Sequence, residues 1–352
     1  MGYRVVVVGA TGNVGQEILN LLAERKFPID EIQAVASSTS RGQRVSFGED
    51  KVLDVIPITE FDFKGVDFAF FAAGTLVSTE FALIAAEAGC IVIDNSSQFR
   101  QEAEVPLIVP EVNPEALAGY KGCDITLAGY KGCGIIANPN CVALPLAMAL
   151  KPLMDEVGLK RLVVSTYQSV SGAGRAAMDE LFNQTRAIYM NQSVVKEELP
   201  KQIAFNIIPQ VDIFLPDGTT VEETKVANEV QKILGIKMGV AITCVRVPVF
   251  IGHSMAVALE LDSPLSVGEA RTLWREFPGI SIVDSRQEDG YVTPAEVVGE
   301  DNVFISRIRK DKSVENGLLF WLVSDNLRKG AALNAVQIAE VLIKDYLNSN
   351  VN

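Results

Sequence analysis

The stretch Tyr3-Arg4-Val5-Val6-Val7-Val8-Gly9-Ala10-Thr11-Gly12-Asn13-Val14-Gly15 decides the fold. Its first six residues end in four valines, as suits a strand buried on both faces of a parallel sheet. Gly9, Gly12 and Gly15 follow in the spacing G-x-x-G-x-x-G. Gln16 to Arg25 then reads as an amphipathic helix with apolar Ile18, Leu19, Leu21 and Leu22. Strand, glycine turn and helix N-terminus in this order build an anion site. The glycines let the backbone approach a pyrophosphate, and the helix N–H groups meet its charge. A dinucleotide is expected here, with Gly9, Thr11, Gly12, Asn13 and Val14 in contact with it.

Outward from this turn, a second strand, Ile32 to Ala36, ends in Ser37-Ser38-Thr39-Ser40-Arg41. An NAD enzyme usually places Asp or Glu here to bind the ribose 2′-hydroxyl. Hydroxyls followed by an arginine suit a 2′-phosphate instead, so Ser37, Ser38 and Arg41 predict NADP preference. The alternation continues with a strand over Asp67 to Phe71 and a helix over Glu80 to Ala88. A strand over Ile91 to Ile93 runs into Asp94-Asn95-Ser96-Ser97-Gln98-Phe99-Arg100, and another covers Leu107 to Val109. Loops at the carboxyl ends of such strands line the ligand crevice, which makes Gly74, Asn95, Ser96 and Arg100 site candidates.

At 352 residues, 48% of them hydrophobic, the chain has core enough for two domains. The N-terminal one is expected over 1–137, Rossmann-like and α/β. The second, over 138–329, is expected to be an α+β catalytic and dimerisation domain with a mixed, largely antiparallel sheet. Its strands are placed at Thr243 to Phe250, Met255 to Leu261, Val303 to Arg309 and Leu318 to Val323. A C-terminal amphipathic helix over Ala331 to Leu347 is expected to return to the first domain. No apolar run approaches the roughly 20 residues that span a bilayer. The five cysteines lack the paired spacing of a disulfide framework or a zinc site, so a cytoplasmic enzyme without metal is expected. With 31 basic and 44 acidic residues the net charge is −13, which disfavours nucleic acid and anionic membranes as partners. An anionic ligand then needs a locally basic pocket.

Residues 117–123 read L-A-G-Y-K-G-C, and 127–133 repeat the same seven. Solenoid repeats need longer units and more copies, so this is a local duplication in a surface loop, where added length costs little closure entropy. Cys123 and Cys133 are read as passengers, and deletion of 118–127 is predicted to leave activity intact.

The chemistry is expected in the second half. Cys141 closes G-I-I-A-N-P-N-C and precedes an apolar helix start in which Pro145 must fall in the first turn. A helix N-terminus favours thiolate, which selects Cys141 over Cys90 and Cys244, both set among apolar strand residues. His253 is the only histidine in the chain and the only side chain whose ordinary pKa lies in the physiological range. A lone histidine on a strand also has the plain reading of a satisfied structural residue. Val163 to Tyr167 reads as a strand. Beyond it, Gln168-Ser169-Val170-Ser171-Gly172-Ala173-Gly174 turns into a long helix from Arg175.

Six runs make the resemblance specific: G-A-T-G-N-V-G at 9–15, D-N-S-S-Q-F-R at 94–100, P-N-C at 139–141, S-T-Y-Q-S-V-S-G-A-G at 165–174, C-V-R-V-P-V-F-I-G-H-S at 244–254 and S-D-N-L-R-K-G-A-A at 324–332. In this order, over nearly the whole chain, they resemble the aspartate-β-semialdehyde dehydrogenase family. The insertion at 118–133 is the main departure. The resemblance implies NADPH-dependent reduction of aspartyl phosphate to the semialdehyde, with release of inorganic phosphate. It implies Cys141 as nucleophile, His253 as acid/base and Gln168 as the residue orienting thiol and substrate. It gives Arg246 to the substrate carboxylate, Glu222 to the ammonium, and Lys225, Arg100 and Asn140 to the phosphate. Ser171, Gly172 and Asn326 join the cofactor contacts, and a homodimer or dimer of dimers is implied. Other acyl-phosphate reductases, such as one acting on N-acetylglutamyl phosphate, and a non-catalytic NADP-binding relative are the alternatives. The first would have no use for Glu222 on a free ammonium.

Overall fold

The computed structural model describes residues 2–49, 51–122 and 134–347. Two compact units divide the chain: residues 1–140 with 331–352, and residues 141–330. The second copy of the duplicated segment, with Cys123 and Cys133, lies outside the described residues.

The first unit is built on β1 (Tyr3–Val8), α1 (Asn13–Glu24), β2 (Ile29–Ala36), β3 (Arg44–Phe47), β4 (Lys51–Pro57), β5 (Phe68–Phe71), α2 (Thr75–Glu87), β6 (Ile91–Asp94) and β7 (Ile135–Ala137). Its seven strands lie in the order β3-β4-β2-β1-β5-β6-β7. All neighbours are parallel except β3 and β4. After β1 the chain crosses first to one side of the sheet and then to the other, so a switch point opens at the carboxyl end of β1, where Gly9 begins. Val5 to Val8 and Phe68 to Phe71 are buried throughout, as a strand covered on both faces requires.

Two expectations shift here. Helix α2 starts at Thr75 and not at Glu80, because Gly74 at φ +82° serves as its N-cap. Leu107 to Val109 forms no strand: only Leu107 bridges to Ala137. Pro106 and Pro110 flank it and offer no N–H to a ladder. The antiparallel β3–β4 pair was not foreseen.

The second unit carries α3 (Ala143–Val157), β8 (Leu159–Gln168), α4 (Arg175–Tyr189), α5 (Val221–Leu234), β9 (Gly239–Arg246), β10 (His253–Leu261), α6 (Val267–Glu276), β11 (Ile280–Ile282), β12 (Val303–Asp311) and β13 (Gly317–Ser324). Its sheet runs β11-β12-β13-β10-β8-β9. β10 is antiparallel to β8 and β13, and β12 to β13; β9 is parallel to β8, and β11 to β12. The sheet is mixed and mainly antiparallel, as expected, but the strand expected over Thr243 to Phe250 occupies Gly239–Arg246 and runs parallel to its neighbour. Pro248, which cannot donate to a ladder, lies just past its end. The long connection through α4 and α5 supplies the crossover that a parallel pair needs.

The chain then re-enters the first unit as α7 (Leu333–Val341), flanked by wider helical turns over 328–332 and 342–347. Leu333, Val336, Ile338, Ala339 and Leu342 join one buried cluster with Val5, Val7, Ile18, Leu22 and Phe70. Among the described residues, no helix is long and apolar enough to cross a membrane.

Candidate active site

Three neighbouring strands of the second unit deliver three of the expected side chains to one end of its sheet. Gln168 closes β8 and pairs in register with Arg246, which closes the parallel β9. His253 opens β10 on the other side of β8, where Ser254 pairs with Tyr167. All three are buried.

Arg246 donates from Nη1 to the carbonyl of Ser169 at 2.8 Å. Burial lowers its proton affinity, and the charges of Glu222 and Cys141 work in the opposite direction; an arginine remains a cation through such shifts. Gln168 donates from Nε2 to Glu222 Oε1 at 3.0 Å, and its own Oε1 accepts from the Thr166 hydroxyl at 3.1 Å. Glu222 is the second residue of α5, and a capping box of Thr220 and Glu223 fixes where that helix begins. Glu222 and Lys225 share one helix, but their polar atoms part. The Lys225 amine donates to Asp212 at 2.8 Å, while Glu222 meets Gln168.

His253 is completely buried. Its Nδ1 accepts the Ser169 N–H at 3.1 Å and lies 3.0 Å from the Ser169 hydroxyl. Its Nε2 is buried without a hydrogen-bond partner. Burial first, and then the positive charge of Arg246, hold the imidazolium pKa down to about 3. Gly172 lies against both groups: a Cβ there would stand 3.1 Å from Arg246 Nη1 and 3.2 Å from His253 Nε2.

Cys141 immediately precedes Val142, the N-cap of α3, and is partly exposed; Pro145 falls in the first turn. A side chain at Gly330 would come within 3.1 Å of the Cys141 Cβ. The other described thiols are buried. Burial, with Asp67 adding to it, pushes Cys90 up to about 12, and burial followed by Glu222 pushes Cys244 higher still.

The remaining expected residues belong to the first unit, to the turn after β8 or to the loop after β13. A Cβ on Gly9 would meet the Ala72 carbonyl at 2.5 Å, and one on Gly15 would meet the Gly9 carbonyl at 2.1 Å. No side chain caps α1 at Gly12, and its first turn holds no acidic residue. Thr11 and Ser40 share a hydroxyl contact at 3.2 Å, and Ser37 with Thr39 another at 2.7 Å. Arg41 is exposed and paired with Glu60. Ser96 is less available as a side-chain ligand than expected, because its hydroxyl donates to buried Asp94 at 2.6 Å. Arg100 is buried, with Nε on the Asn138 carbonyl at 2.9 Å and Nη2 on the Asn95 carbonyl at 2.7 Å. Asn140 is buried two residues further on. Ser171 and Asn326 are bonded to each other, Nδ2 to Oγ, at 3.0 Å. Among the described residues, no group of three or more His, Cys, Asp or Glu could hold a metal ion. Sequence reasoning passed over Ser169: a serine inside a Gly/Ser turn carries no signal, and only its adjacency to Gln168 hinted at a role.

A doubly wound sheet in one unit, with Cys, His, Gln and Arg side chains gathered in the other, defines a two-domain dehydrogenase. The comparisons agree. Residues 4–120 match the model described as "Semialdehyde dehydrogenase, NAD binding domain", and residues 150–329 match "Semialdehyde dehydrogenase, dimerisation domain". The aspartate-semialdehyde dehydrogenase of Rickettsia bellii is 50% identical over 345 residues, covering 98% of this chain and 99% of that protein. The crystal structure of aspartate semialdehyde dehydrogenase II from Vibrio cholerae complexed with ASA superposes with TM-score 0.92 at 43% identity, covering 98% of this chain and 99% of that one. The aspartate semialdehyde dehydrogenase of Candida albicans with NADP superposes with TM-score 0.74 at 25% identity, over 97% and 99%. The chain belongs to the aspartate-semialdehyde dehydrogenase family, whose activity serves aspartate-family amino-acid biosynthesis.

Proposed function

We propose that the chain reduces L-aspartyl-4-phosphate with NADPH to L-aspartate-4-semialdehyde and inorganic phosphate, reversibly, through a thioester on Cys141. The observation that carries this reading is the buried, unpartnered Nε2 of His253 beside Arg246 and Gly172. Buried polar atoms are nearly always satisfied, and one held open at the end of three strands awaits a group that enters with substrate.

The Cys141 sulfur, favoured as thiolate at the start of α3, attacks the acyl carbon. The C–S bond forms as the C–O bond to phosphate breaks. When bound, the reduced nicotinamide supplies the hydride for the thioester carbon. His253 shares a proton at Nε2 with the oxygen that gains charge there and takes it back as the C–S bond breaks, so that the aldehyde carbonyl forms and the thiolate returns. Gln168 orients thiol and substrate through its amide. Arg246 binds the substrate carboxylate with two parallel N–H groups, and Glu222 takes the ammonium. Lys225, Arg100 and Asn140 are assigned to the phosphate, and Lys225 must then leave Asp212 or share it.

The first unit fits a dinucleotide. Gly9 and Gly15 stand where a side chain would strike backbone, which lets the turn close beneath a pyrophosphate at the uncapped start of α1. Thr11, Gly12, Asn13 and Val14 complete that turn, and Gly74 and Ser96, which follow β5 and β6, are assigned to the same cofactor. Residues 37–41 contain hydroxyls and Arg41 but no carboxylate, which supports NADP over NAD. Ser171, Gly172 and Asn326 are assigned to the nicotinamide end.

A homodimer or dimer of dimers is supported by the apolar side chains that the second unit leaves exposed, among them Phe182, Tyr189, Phe205, Ile207 and Phe214. A cytoplasmic setting is supported by Cys90, Cys141 and Cys244, which form no disulfide with one another.

Reduced-nicotinamide formation from aspartate semialdehyde and NADP, with and without inorganic phosphate, tests the reading against a Cys141→Ala control. Phosphate-dependent turnover that the control lacks is expected. Turnover that survives in the control overturns the thioester.

A further inference from the structure

Three asparagine side chains of the first unit are hydrogen-bonded in series. Asn334, on the returning helix α7, donates from Nδ2 to Asn138 Oδ1 at 2.7 Å. Asn138 donates in turn from Nδ2 to Asn95 Oδ1 at 2.8 Å. Each amide also turns its nitrogen to a backbone carbonyl: Asn334 to Ile108 at 2.9 Å, Asn138 to Ala331 at 3.1 Å and Asn95 to Phe71 at 3.0 Å. A carbonyl can only accept, so these contacts identify the nitrogen of every amide and give the series one direction. Asn138 and Asn334 are completely buried, where an unmet donor or acceptor is costly.

The series joins segments far apart in the chain. Phe71 ends β5, Asn95 follows β6 and Asn138 follows β7, whereas Asn334 comes 196 positions after Asn138. The apolar side chains of α7, Val336 among them, pack it into the core of the first unit. The amide at 334 connects that packing to the carboxyl ends of the strands.

Arg100 is seated on the same frame. Its Nε donates to the main-chain carbonyl of Asn138 at 2.9 Å and its Nη2 to that of Asn95 at 2.7 Å. Two N–H groups of one rigid plane, each bonded to a carbonyl, leave the guanidinium little freedom to turn. The residues that provide these carbonyls are the two whose side chains the series couples. The Asn138 N–H is bound as well, to the Asp94 carbonyl at 2.8 Å. Asn138 is thus gripped at its N–H, its carbonyl and both ends of its amide, and Pro139 and Asn140 follow directly.

We infer that Asn334, Asn138 and Asn95 are positioning residues for the phosphate: the returning helix, through Asn334, holds Asn138 so that Arg100 and Asn140 stand in place before the phosphate arrives. This rests on the phosphate role proposed above for Arg100 and Asn140. The three act through those residues without touching the phosphate themselves. Position matters because a guanidinium grips a phosphate best with two parallel N–H groups, and a small rotation forfeits one of them.

The test is oxidation of aspartate semialdehyde by NADP, in which inorganic phosphate is a substrate with its own KM. Asn334→Ala leaves Asn138 Oδ1 without this donor, and Asn95→Ala removes an acceptor of Asn138 while keeping the main-chain carbonyl that holds Arg100. Each should raise KM for phosphate about threefold or more, with KM for aspartate semialdehyde and for NADP changed less than about twofold. Val336→Ala loosens the same helix without touching the series. It should lower the midpoint of thermal unfolding and leave KM for phosphate unchanged. In an Arg100→Lys enzyme, whose own KM for phosphate is raised, adding Asn334→Ala should change that KM less than about twofold, because the residue it acts through is already gone. Circular dichroism confirms that each variant folds, and Asn95→Ala, at a half-buried position, decides by the same criterion if Asn334→Ala does not fold. An unchanged KM for phosphate in the asparagine variants overturns the inference. So does an equal rise in Val336→Ala, or a full further rise on the Arg100→Lys background. Wild-type turnover that needs no phosphate would instead overturn the functional reading.

Discussion

The Gln168 amide donates to the Glu222 carboxylate across 3.0 Å, with both side chains buried. The residue assigned to the thiol and the one assigned to the substrate ammonium are therefore one hydrogen-bonded unit. A hydrogen bond to a charged group contributes about 1.5–3 kcal/mol. Glu222→Gln should raise KM for aspartate semialdehyde about tenfold or more while kcat falls less. Because the two share a bond, Glu222→Gln combined with Gln168→Ala should cost less than the product of the single effects. Steady-state kinetics of the four proteins decides it; strictly multiplicative losses would separate the two roles.

Among the described cysteines, thiol reactivity should single out Cys141. Cys90 is pushed up to about 12 by burial and Asp67, and Cys244 is also raised by burial. The thiolate is the reactive form, so alkylation at pH 7.5 should modify Cys141 and leave those two untouched. Peptide mapping by mass spectrometry after brief iodoacetamide treatment measures this. Early modification of Cys90 or Cys244 would contradict the burial described for them.

How much of this was legible in the sequence depended on whether the constraint was local. Gly9 to Gly15 could be read because the turn they make is made by consecutive residues. Cys141 could be read because the apolar helix start follows it directly. The β3–β4 pair escaped because β3 is only four residues long, and the apolar residues of β4, in K-V-L-D-V-I-P, do not alternate strictly with polar ones. The direction of β9 escaped because it depends on where the chain goes through α4 and α5. Gln168 and Glu222 are 54 positions apart, and Ser169 and His253 are 84. Their pairing needed the sheet to exist first, and the resemblance supplied roles for three of these residues without the bonds that couple them.

Cofactor choice should respond to both members of the Arg41–Glu60 pair, which are each at least half exposed. An exposed ion pair is worth at most about 1 kcal/mol, so Glu60 does not keep Arg41 from a 2′-phosphate. Arg41→Ala should reduce the preference for NADP over NAD about tenfold or more, through loss of a charge-assisted contact. Glu60→Gln should change KM for NADPH less than about fivefold, in the direction of tighter binding. Initial rates with both cofactors measure the ratio, and an Arg41→Ala enzyme with full NADP preference would remove Arg41 from the site.

Gly15→Ala tests the turn. The added Cβ would lie 2.1 Å from the Gly9 carbonyl and 2.9 Å from the Ala10 Cα, and neither backbone atom can yield as a flexible side chain would. Separating α1 from β1 disturbs the buried contacts of Ile18 and Leu22, at a cost on the order of 2 kcal/mol or more. The expected outcome is a lower midpoint of thermal unfolding together with weakened NADPH binding by fluorescence. A variant with unchanged stability and unchanged binding would show that the helix does not need this close approach.

Stability should depend on pH through His253. Its folded pKa, held to about 3, lies below the ordinary value of 6.5, so the unfolded chain binds the extra proton first. Full stability is therefore present above 6.5 and is lost progressively as pH falls from 6.5 toward 3. The slope for one proton is about 1.4 kcal/mol per pH unit, which gives a loss of about 1.4 kcal/mol at pH 5.5 relative to neutral pH. Trp274 and Trp321 are the only tryptophans, and both lie in the second unit with His253. Their fluorescence during urea unfolding at pH 7.5 and 5.5 reports that unit. Carboxylates contribute to the same slope, so the control is His253→Asn, whose amide oxygen can still accept the Ser169 N–H. The variant should lose less stability than the wild type between the two pH values, by roughly that 1.4 kcal/mol. Equal losses would mean that the ring accepts its proton without leaving its buried place.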